Sequence, residues 1–536
     1  MNNLNILIEW TIFSARSCSL KFIIILDWIS LRFRLIVCLI SACVMCFSSR
    51  YIRADPFLSR FSILVMLFVL SMNLLIFIPS LPALLIGWDG LGIVSFALVI
   101  YYQNPKSLGA GILTILANRI GDVIILIGIA LLLLEGHWFV TCLWDFKYLY
   151  IVAGIILVAG ITKSAQIPFC SWLPAAIAAP TPVSALVHSS TLVTAGVFIL
   201  VRLYPTLSKF STVMIFLLVI AISTLFLAGI GANYENDLKK IIALSTLRQL
   251  GIIILSLGIG QPVLTMFHLF SHALFKALLF ICAGVIIHRS LNNQDIRRIG
   301  LIFINLPGTV ACFNVANLSL CGFPFLAGFY SKDAILEYCL RRNVNLFLTF
   351  MIFLATGLTS AYSVRLSFCT LWGKPKVNRL TNVTDKDYFV LFSIIILTSM
   401  AISAGISLQV LTPRFENTLF VLSPLQKRLT IFVVSIGVLV SLGVWKFVSH
   451  FGQLRWIFSS LFFLFYLSTT PFVKRTVTRG LNIIKSVDGG WLEILGGQGS
   501  LATFTKLTSV NQLIQIFMFT FTSLLAVLIY VGVSFN

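Results

Sequence analysis

Runs of about twenty apolar residues, each closed by charged or polar residues, follow one another along almost the whole chain. That is the length an α-helix needs to cross a bilayer's hydrocarbon. The runs fall near 28–49, 61–79, 84–102, 109–134, 149–178, 183–203, 211–230, 241–260, 262–288, 302–340, 344–371, 388–411, 429–447 and 508–534. They predict an all-α polytopic membrane protein of about fourteen spans. Length alone, 536 residues, would allow several soluble domains. A composition 59% apolar and only 10% charged excludes them, because too little polar surface exists to wrap a water-soluble globule. The stretch 454–470 is apolar but short and reads as interfacial.

The 38 Lys and Arg against 17 Asp and Glu give a net charge of +21. The cations stand singly or in pairs between apolar runs, as in Arg341-Arg342, Lys427-Arg428 and Lys474-Arg475. Cations at membrane borders, beside anionic headgroups, explain that pattern, and no nucleic-acid partner is expected. The 11 cysteines are odd in number and scattered through apolar runs, which argues against a disulfide framework. Cys43 and Cys46 have redox-type spacing but no second pair nearby, and read as membrane-core thiols. The first twenty residues show no cleavable signal: they carry Glu9 and Arg16 and lack a signal-type apolar stretch.

Two runs are too long and too interrupted to be simple helices. In 149–178, Lys163, Pro168 and Pro174 break the pattern; in 302–340, Gly322-Phe323-Pro324 and Gly328 break it before Lys332-Asp333. Backbone broken at membrane depth survives only where protein or a wet cavity satisfies its polar groups. Paired interruptions point to an internal repeat and to a transport site. Residues 471–507 mix Lys, Arg, Asp and Glu with Phe, Leu, Ile and Trp491, as a surface-lying amphipathic segment does.

Ionisable residues inside spans are candidate functional groups, because burying charge in hydrocarbon is costly. They are Asp89, Arg119, Asp122, Lys163, His188, His268, His272, Lys276, Lys332 and Asp333. Their chemistry suits proton handling. Burial penalises a lysine's charged form, a nearby carboxylate favours it, and histidine titrates near neutrality. Each also has a plainer reading. Arg119 and Asp122 are three residues apart and could neutralise each other. His188 could be a core histidine. His268, His272 and Lys276 lie on one face and could pack against another helix. The two histidines lack the intervening Glu of a zinc motif and an evident third ligand. His137, His288 and His450 look like loop or border residues. Gly160 to Ser164 lacks the Gly before Lys of a phosphate loop, and Gly87-x-x-Gly90-x-Gly92 follows no strand. No flavin, haem or iron–sulfur ligand set is expected in this chain, so any redox chemistry would run in other chains.

The runs Lys163-Ser164-Ala165-Gln166-Ile167-Pro168, Trp172-Leu173-Pro174 and Ala179 to Thr191 resemble the antiporter-like membrane-arm subunits of respiratory complex I. So do Asn118 to Asp122, Asp237 to Thr246, Gln249 to Gly251, His272 to Phe280, Gln294 to Arg297 and Gly328 to Asp333. The resemblance runs from about residue 20 to the end of the chain and is dense between 84 and 335. It implies two inverted five-helix repeats, each with one broken helix, then a lateral amphipathic helix and an anchor helix. On that scheme residues 1–60 form a hairpin-like segment and first span, 61–203 and 204–371 the repeats, 372–470 additional spans, 471–507 the lateral helix and 508–536 the anchor.

The resemblance also implies that Asp89 and Lys163 form the membrane carboxylate–lysine pair. His188 would be the neighbouring histidine, His272 and Lys276 the central relay, and Lys332 with Asp333 the terminal pair. It implies other membrane-arm subunits as partners, especially a neighbouring antiporter-like one, anionic lipid such as cardiolipin, and a mitochondrial inner-membrane location. Flavin and iron–sulfur clusters would belong to partner subunits. Two features depart from the pattern. The family has Glu where this chain has Asp89, and the two helices that usually precede the hairpin have no counterpart here. The function implied is proton translocation coupled to NADH–ubiquinone electron transfer. The rival readings are a subunit of a multi-subunit cation/proton antiporter and a structural membrane-arm scaffold.

Overall fold

The computed structural model describes residues 5–15, 18–53, 55–134, 148–342, 345–374, 387–411, 423–444, 452–460 and 462–534. His137 and His450 lie outside these residues. The chain divides into two compact units, Met1–Leu464 and Phe465–Asn536.

The first unit is not wholly helical. It opens with an antiparallel ribbon, β1 (Ile6–Ala15) and β2 (Cys18–Leu26), in which Ile6 pairs with Leu26 and Ala15 with Cys18. Isoleucine and aromatic residues favour this extended pairing, and Lys21 reaches across to Glu9 at 2.9 Å. Among the described residues, this two-stranded ribbon stands at the head of an otherwise helical chain.

Helices follow: α1 (Trp28–Tyr51), α2 (Leu58–Phe77), α3 (Leu81–Val99), α4 (Pro105–Leu133), α5 (Leu149–Lys163) and α6 (Thr181–Arg202). Next come α7 (Ser211–Tyr234), α8 (Leu238–Gly258), α9 (Pro262–Arg289), α10 (Pro307–Cys321), α11 (Ala334–Arg341), α12 (Leu346–Ser367), α13 (Tyr388–Leu411) and α14 (Pro424–Val444). Local chemistry sets many starts. Pro82, Pro105, Pro262 and Pro307 occupy first-turn positions that need no amide hydrogen. Asp27 and Ser30 form a reciprocal capping box at the head of α1. The same Asp27 carboxylate pairs with Arg202 at the end of α6.

Among the described residues twelve helices are long and apolar enough to cross a membrane. The other two expected spans are the interrupted ones, so continuous helices alone do not reach fourteen. In the first break, α5 stops at Lys163, Ala165 adopts a left-handed φ of 53°, and a short turn at Trp172–Ala175 resumes the path. The Trp172 indole N–H caps the Thr162 carbonyl at 3.2 Å. In the second, α10 ends at Gly322, whose φ of +85° is the left-handed conformation glycine adopts without strain. A π-helical turn, Phe329–Asp333, then leads into α11.

Helices α2 to α6 form one five-membered set. Helices α7, α8 and α9, the α10–α11 pair and α12 form the next. The fourth member is the interrupted one in each. Five is odd, so matching helices run in opposite directions, which makes the repeats inverted. The most apolar windows of α6, α8 and α9 are 100% buried, against 33–50% in α2, α3, α4 and α7. The sets therefore meet along three central helices shielded from lipid, with the π-helical part of α6, Ser184–Thr191, packed on α9. Helix α13 closes the bundle against α1, α9 and α10.

In the second unit a helix over Leu464–Ile483 carries Pro471 inside it, followed by a π-helical stretch over Ile484–Leu492. A final helix of 38 residues, Gly497–Ser534, spans about 57 Å at 1.5 Å per residue. The helix break falls at Gly496, some ten residues before the expected boundary at 507/508.

Candidate functional site

Helices α3, α4 and α5 bring the first cluster together. Trp88 is fully buried, and Asp89, one position later and so about 100° further round the helix, is partly buried, with its side chain 27% exposed and one carboxylate oxygen enclosed. Lys163, at the end of α5 and 0% exposed, donates to the Trp88 carbonyl at 2.6 Å. Its ammonium also lies 3.8 Å from the centre of the Trp88 ring, a cation–π distance. The Trp88 indole N–H donates to Asp122 on α4 at 2.6 Å. Arg119, half exposed, stands 3.8 Å from both Asp89 and Asp122. Asp89 and Lys163, the carboxylate–lysine pair implied by the family resemblance, make no hydrogen bond to each other among the described contacts. Asp89 faces Arg119, and Trp88 takes the lysine.

Small residues make this approach possible. A Cβ on Gly196 of α6 would come within 2.6 Å of the Gly160 carbonyl and 3.2 Å of Lys163 Cβ. A Cβ on Gly121 would collide with Thr162. Beyond the break, the Gln166 side chain accepts from Thr224 of α7 at 2.6 Å, carrying polar groups toward the second set.

His188 sits in the π-helical part of α6 at 1% exposure, with neither ring nitrogen hydrogen-bonded, and its ring lies 6.4 Å from that of Trp172. A π-turn is a common device for presenting a side chain at a functional site.

The second cluster centres on α9. His268 Nε2 donates to Gln249 Oε1 at 3.2 Å, and its Nδ1 is 2.9 Å from the Ser331 hydroxyl. Ser331 also meets Ser271 at 3.0 Å. His272, one turn on, has neither ring nitrogen bonded and stacks edge-on against Phe275. Lys276 donates to Ser245 of α8. Lys332 donates to the Cys321 carbonyl at 3.1 Å and to Thr359 at 3.3 Å, so the lysine itself caps the end of α10. Its neighbour Asp333 is only partly buried and lies beside Gly322. The structure thus gathers the predicted residues into two groups with His188 on the central helix that adjoins both.

Sequence reasoning passed over Trp88, Ser331, Ser245 and Arg248. Arg248 is 0% exposed, donates to the Ala355 carbonyl, and has Nε and one terminal nitrogen without a partner. As a cation inside the run 241–260 it meets the rule that selected Lys163. The serines and Trp88 carry no charge, so no such signal marks them.

Two interrupted helices, each supplying a fully buried lysine to its own five-helix set, define an antiporter-like membrane subunit. Residues 78–359 match the family model described as "NADH:quinone oxidoreductase/Mrp antiporter, TM". The flanks match models of the chain 5 N-terminus of NADH-ubiquinone oxidoreductase (complex I), residues 10–62, and of the NADH dehydrogenase subunit 5 C-terminus, residues 362–533. The chain is 47% identical over 503 residues to NADH-ubiquinone oxidoreductase chain 5 of Anopheles gambiae, covering 92% of this chain and 86% of that one. It is 43% identical over 520 residues to the chain 5 of Lumbricus terrestris, covering 95% and 90%. This chain belongs to the NADH-ubiquinone oxidoreductase chain 5 family. Its fold is shared with a chain of the Mrp complex from Dietzia sp. DQ12-45-1b, at a TM-score of 0.78 and 22% identity, over 95% of this chain and 57% of that one.

Proposed function

We propose that this chain is a proton-translocating subunit of the membrane arm of NADH:ubiquinone oxidoreductase, in the mitochondrial inner membrane. NADH oxidation and quinone reduction belong to other subunits, as do the flavin and iron–sulfur clusters. The observation that carries this reading is the burial of Lys163, Lys276 and Lys332 at 0–1% exposure, each held by uncharged oxygen atoms. Among the described residues no carboxylate holds any of these ammonium groups in a hydrogen-bonded ion pair, so each can gain or lose a proton without breaking one.

In this reading Asp89, Arg119, Asp122 and Lys163 serve the first half of the path. His188 stands between the halves. His272, Lys276, Lys332 and Asp333 serve the second. Movement in neighbouring subunits would reach the first half through α3 and α4. A neighbouring antiporter-like subunit and an anionic lipid such as cardiolipin are the partners we infer. The match of residues 362–533 to a subunit 5 C-terminus supports complex I over a separate cation/proton antiporter.

The test is proton pumping by the intact complex carrying Lys163→Ala or Lys276→Ala, reconstituted in vesicles. The expected result is normal assembly with protons pumped per NADH clearly below wild type. Normal stoichiometry in both variants overturns the assignment and leaves the scaffold reading.

A further inference from the structure

Lys163 makes no hydrogen-bonded ion pair with Asp89, yet it is tied to Asp122 through one side chain. We propose that Trp88 is a positioning residue that couples Lys163 to Asp122, holding the ammonium on its ring face and the carboxylate at its indole N–H. This inference rests on the proposed function and names how its first cluster works.

Three independent contacts carry it. The ammonium is 3.8 Å from the ring centre, the same ammonium donates to the Trp88 backbone carbonyl at 2.6 Å, and the indole N–H is 2.6 Å from Asp122. The backbone contact fixes the lysine to the residue, and the ring contact fixes it to the indole. A cation on an aromatic face is stabilised by the ring's negative quadrupole. The N–H on the edge of that ring is a donor that prefers a charged acceptor. The indole thus favours charge at both of its ends.

The slot for the ring is built. Trp88 is 0% exposed, and Gly121, beside Asp122, would bring a Cβ within 3.6 Å of the ring edge. A rigid, fully enclosed ring leaves the two charges few ways to move independently. If Lys163 gives up its proton, the ring loses its cation and the N–H bond is what remains to hold it. If Asp122 takes a proton, the N–H loses its charged acceptor. Either event loosens the same side chain, so each end senses the other without direct contact. Asp89 takes no part in this bridge, because it is turned toward Arg119.

The titratable and charged groups on the helices packed around Lys163 are Asp89 on α3, Asp122 and Arg119 on α4, which stand together, and His188 on the adjoining α6. Any of these can influence a pH profile, so the test isolates the Trp88 contact with a double-mutant cycle.

The experiment uses the whole complex in vesicles, with NADH oxidation and proton uptake followed together from pH 6 to 9. The variants are Trp88→Phe, Asp122→Asn, the double variant and Lys163→Ala. Trp88→Phe keeps the ring face and removes the N–H. The expected result is about a tenfold loss of coupled pumping, the worth of one hydrogen bond to a charged group. The double variant should then pump no worse than Asp122→Asn alone. The pH at half-maximal pumping should move in Trp88→Phe, whereas simple loosening of the core would lower the rate at every pH with an unmoved midpoint.

Wild-type pumping by Trp88→Phe, or losses that multiply in the double variant, overturns the inference. Should Trp88→Phe fail to assemble, Asp122→Asn reads the same bridge from the other end, and an unmoved midpoint there overturns it equally. Normal pumping by Lys163→Ala sinks the underlying functional reading. Loss in Lys163→Ala with no effect of Trp88→Phe removes the coupling proposal alone.

Discussion

At the scale of single residues, Lys163 is held by Trp88 through both its carbonyl and its ring. Lys163, Lys276 and Lys332 are as buried as their apolar surroundings demanded. Which carboxylate Lys163 senses was not legible, because a one-residue step round α3 exchanges Asp89 for Trp88. A second residue-scale contact joins the cap of α1 to the end of α6. Burial works against the charged form of Asp27, but the hydrogen bond and charge of Arg202, with bonds from Ser30, outweigh it and hold the carboxyl below its ordinary range. A depressed carboxylate stabilises the fold fully above its unfolded value, near pH 4, and loses that contribution as pH falls through its folded value. Asp27→Asn is expected to cost about 3 kcal/mol at pH 7, because it leaves Arg202 without its anion. Melting of the detergent-solubilised complex should show the gap from wild type narrowing below about pH 4.

At the scale of elements, the two broken helices were legible because proline, glycine and a buried lysine coincide in each. The β-ribbon at the N-terminus was foreshadowed only through resemblance to a family. Its alternation is blurred, with Ile12 and Phe13 both strongly exposed. The π-helical stretch over Ser184–Thr191 left no trace in the sequence, since its residues suit an α-helix equally well. The last helix begins at Gly497, before Lys506, the final charge of the mixed stretch, because a charged residue in the first turns of a helix does not stop it. Contact between α5 and α6 depends on a missing side chain. Gly196→Ala should push on the Gly160 carbonyl and on Lys163, costing about 1–3 kcal/mol through overpacking. The expected outcome is a lower melting temperature together with weaker pumping; an unchanged melting curve would show that the helices have room to part.

At the scale of the molecule, the division at Leu464 separates a bundle with its own core from a tail that ends in an apolar helix of 38 residues. Such a helix must be covered by lipid or by protein. Truncation after Leu464 is expected to leave the bundle folded but to reduce its recovery with other membrane-arm subunits, measured by co-purification. Full recovery would show that the tail has no part in assembly. The lysines themselves lie deep in the bundle, around α6, α8 and α9, whose most apolar windows touch no lipid. Membrane thickness acts on a protein through the helices that meet acyl chains. Thinner or thicker bilayers would therefore tilt the outer ring first, and the inner trio would feel that strain only second-hand, keeping its distances across membranes of differing lipid content.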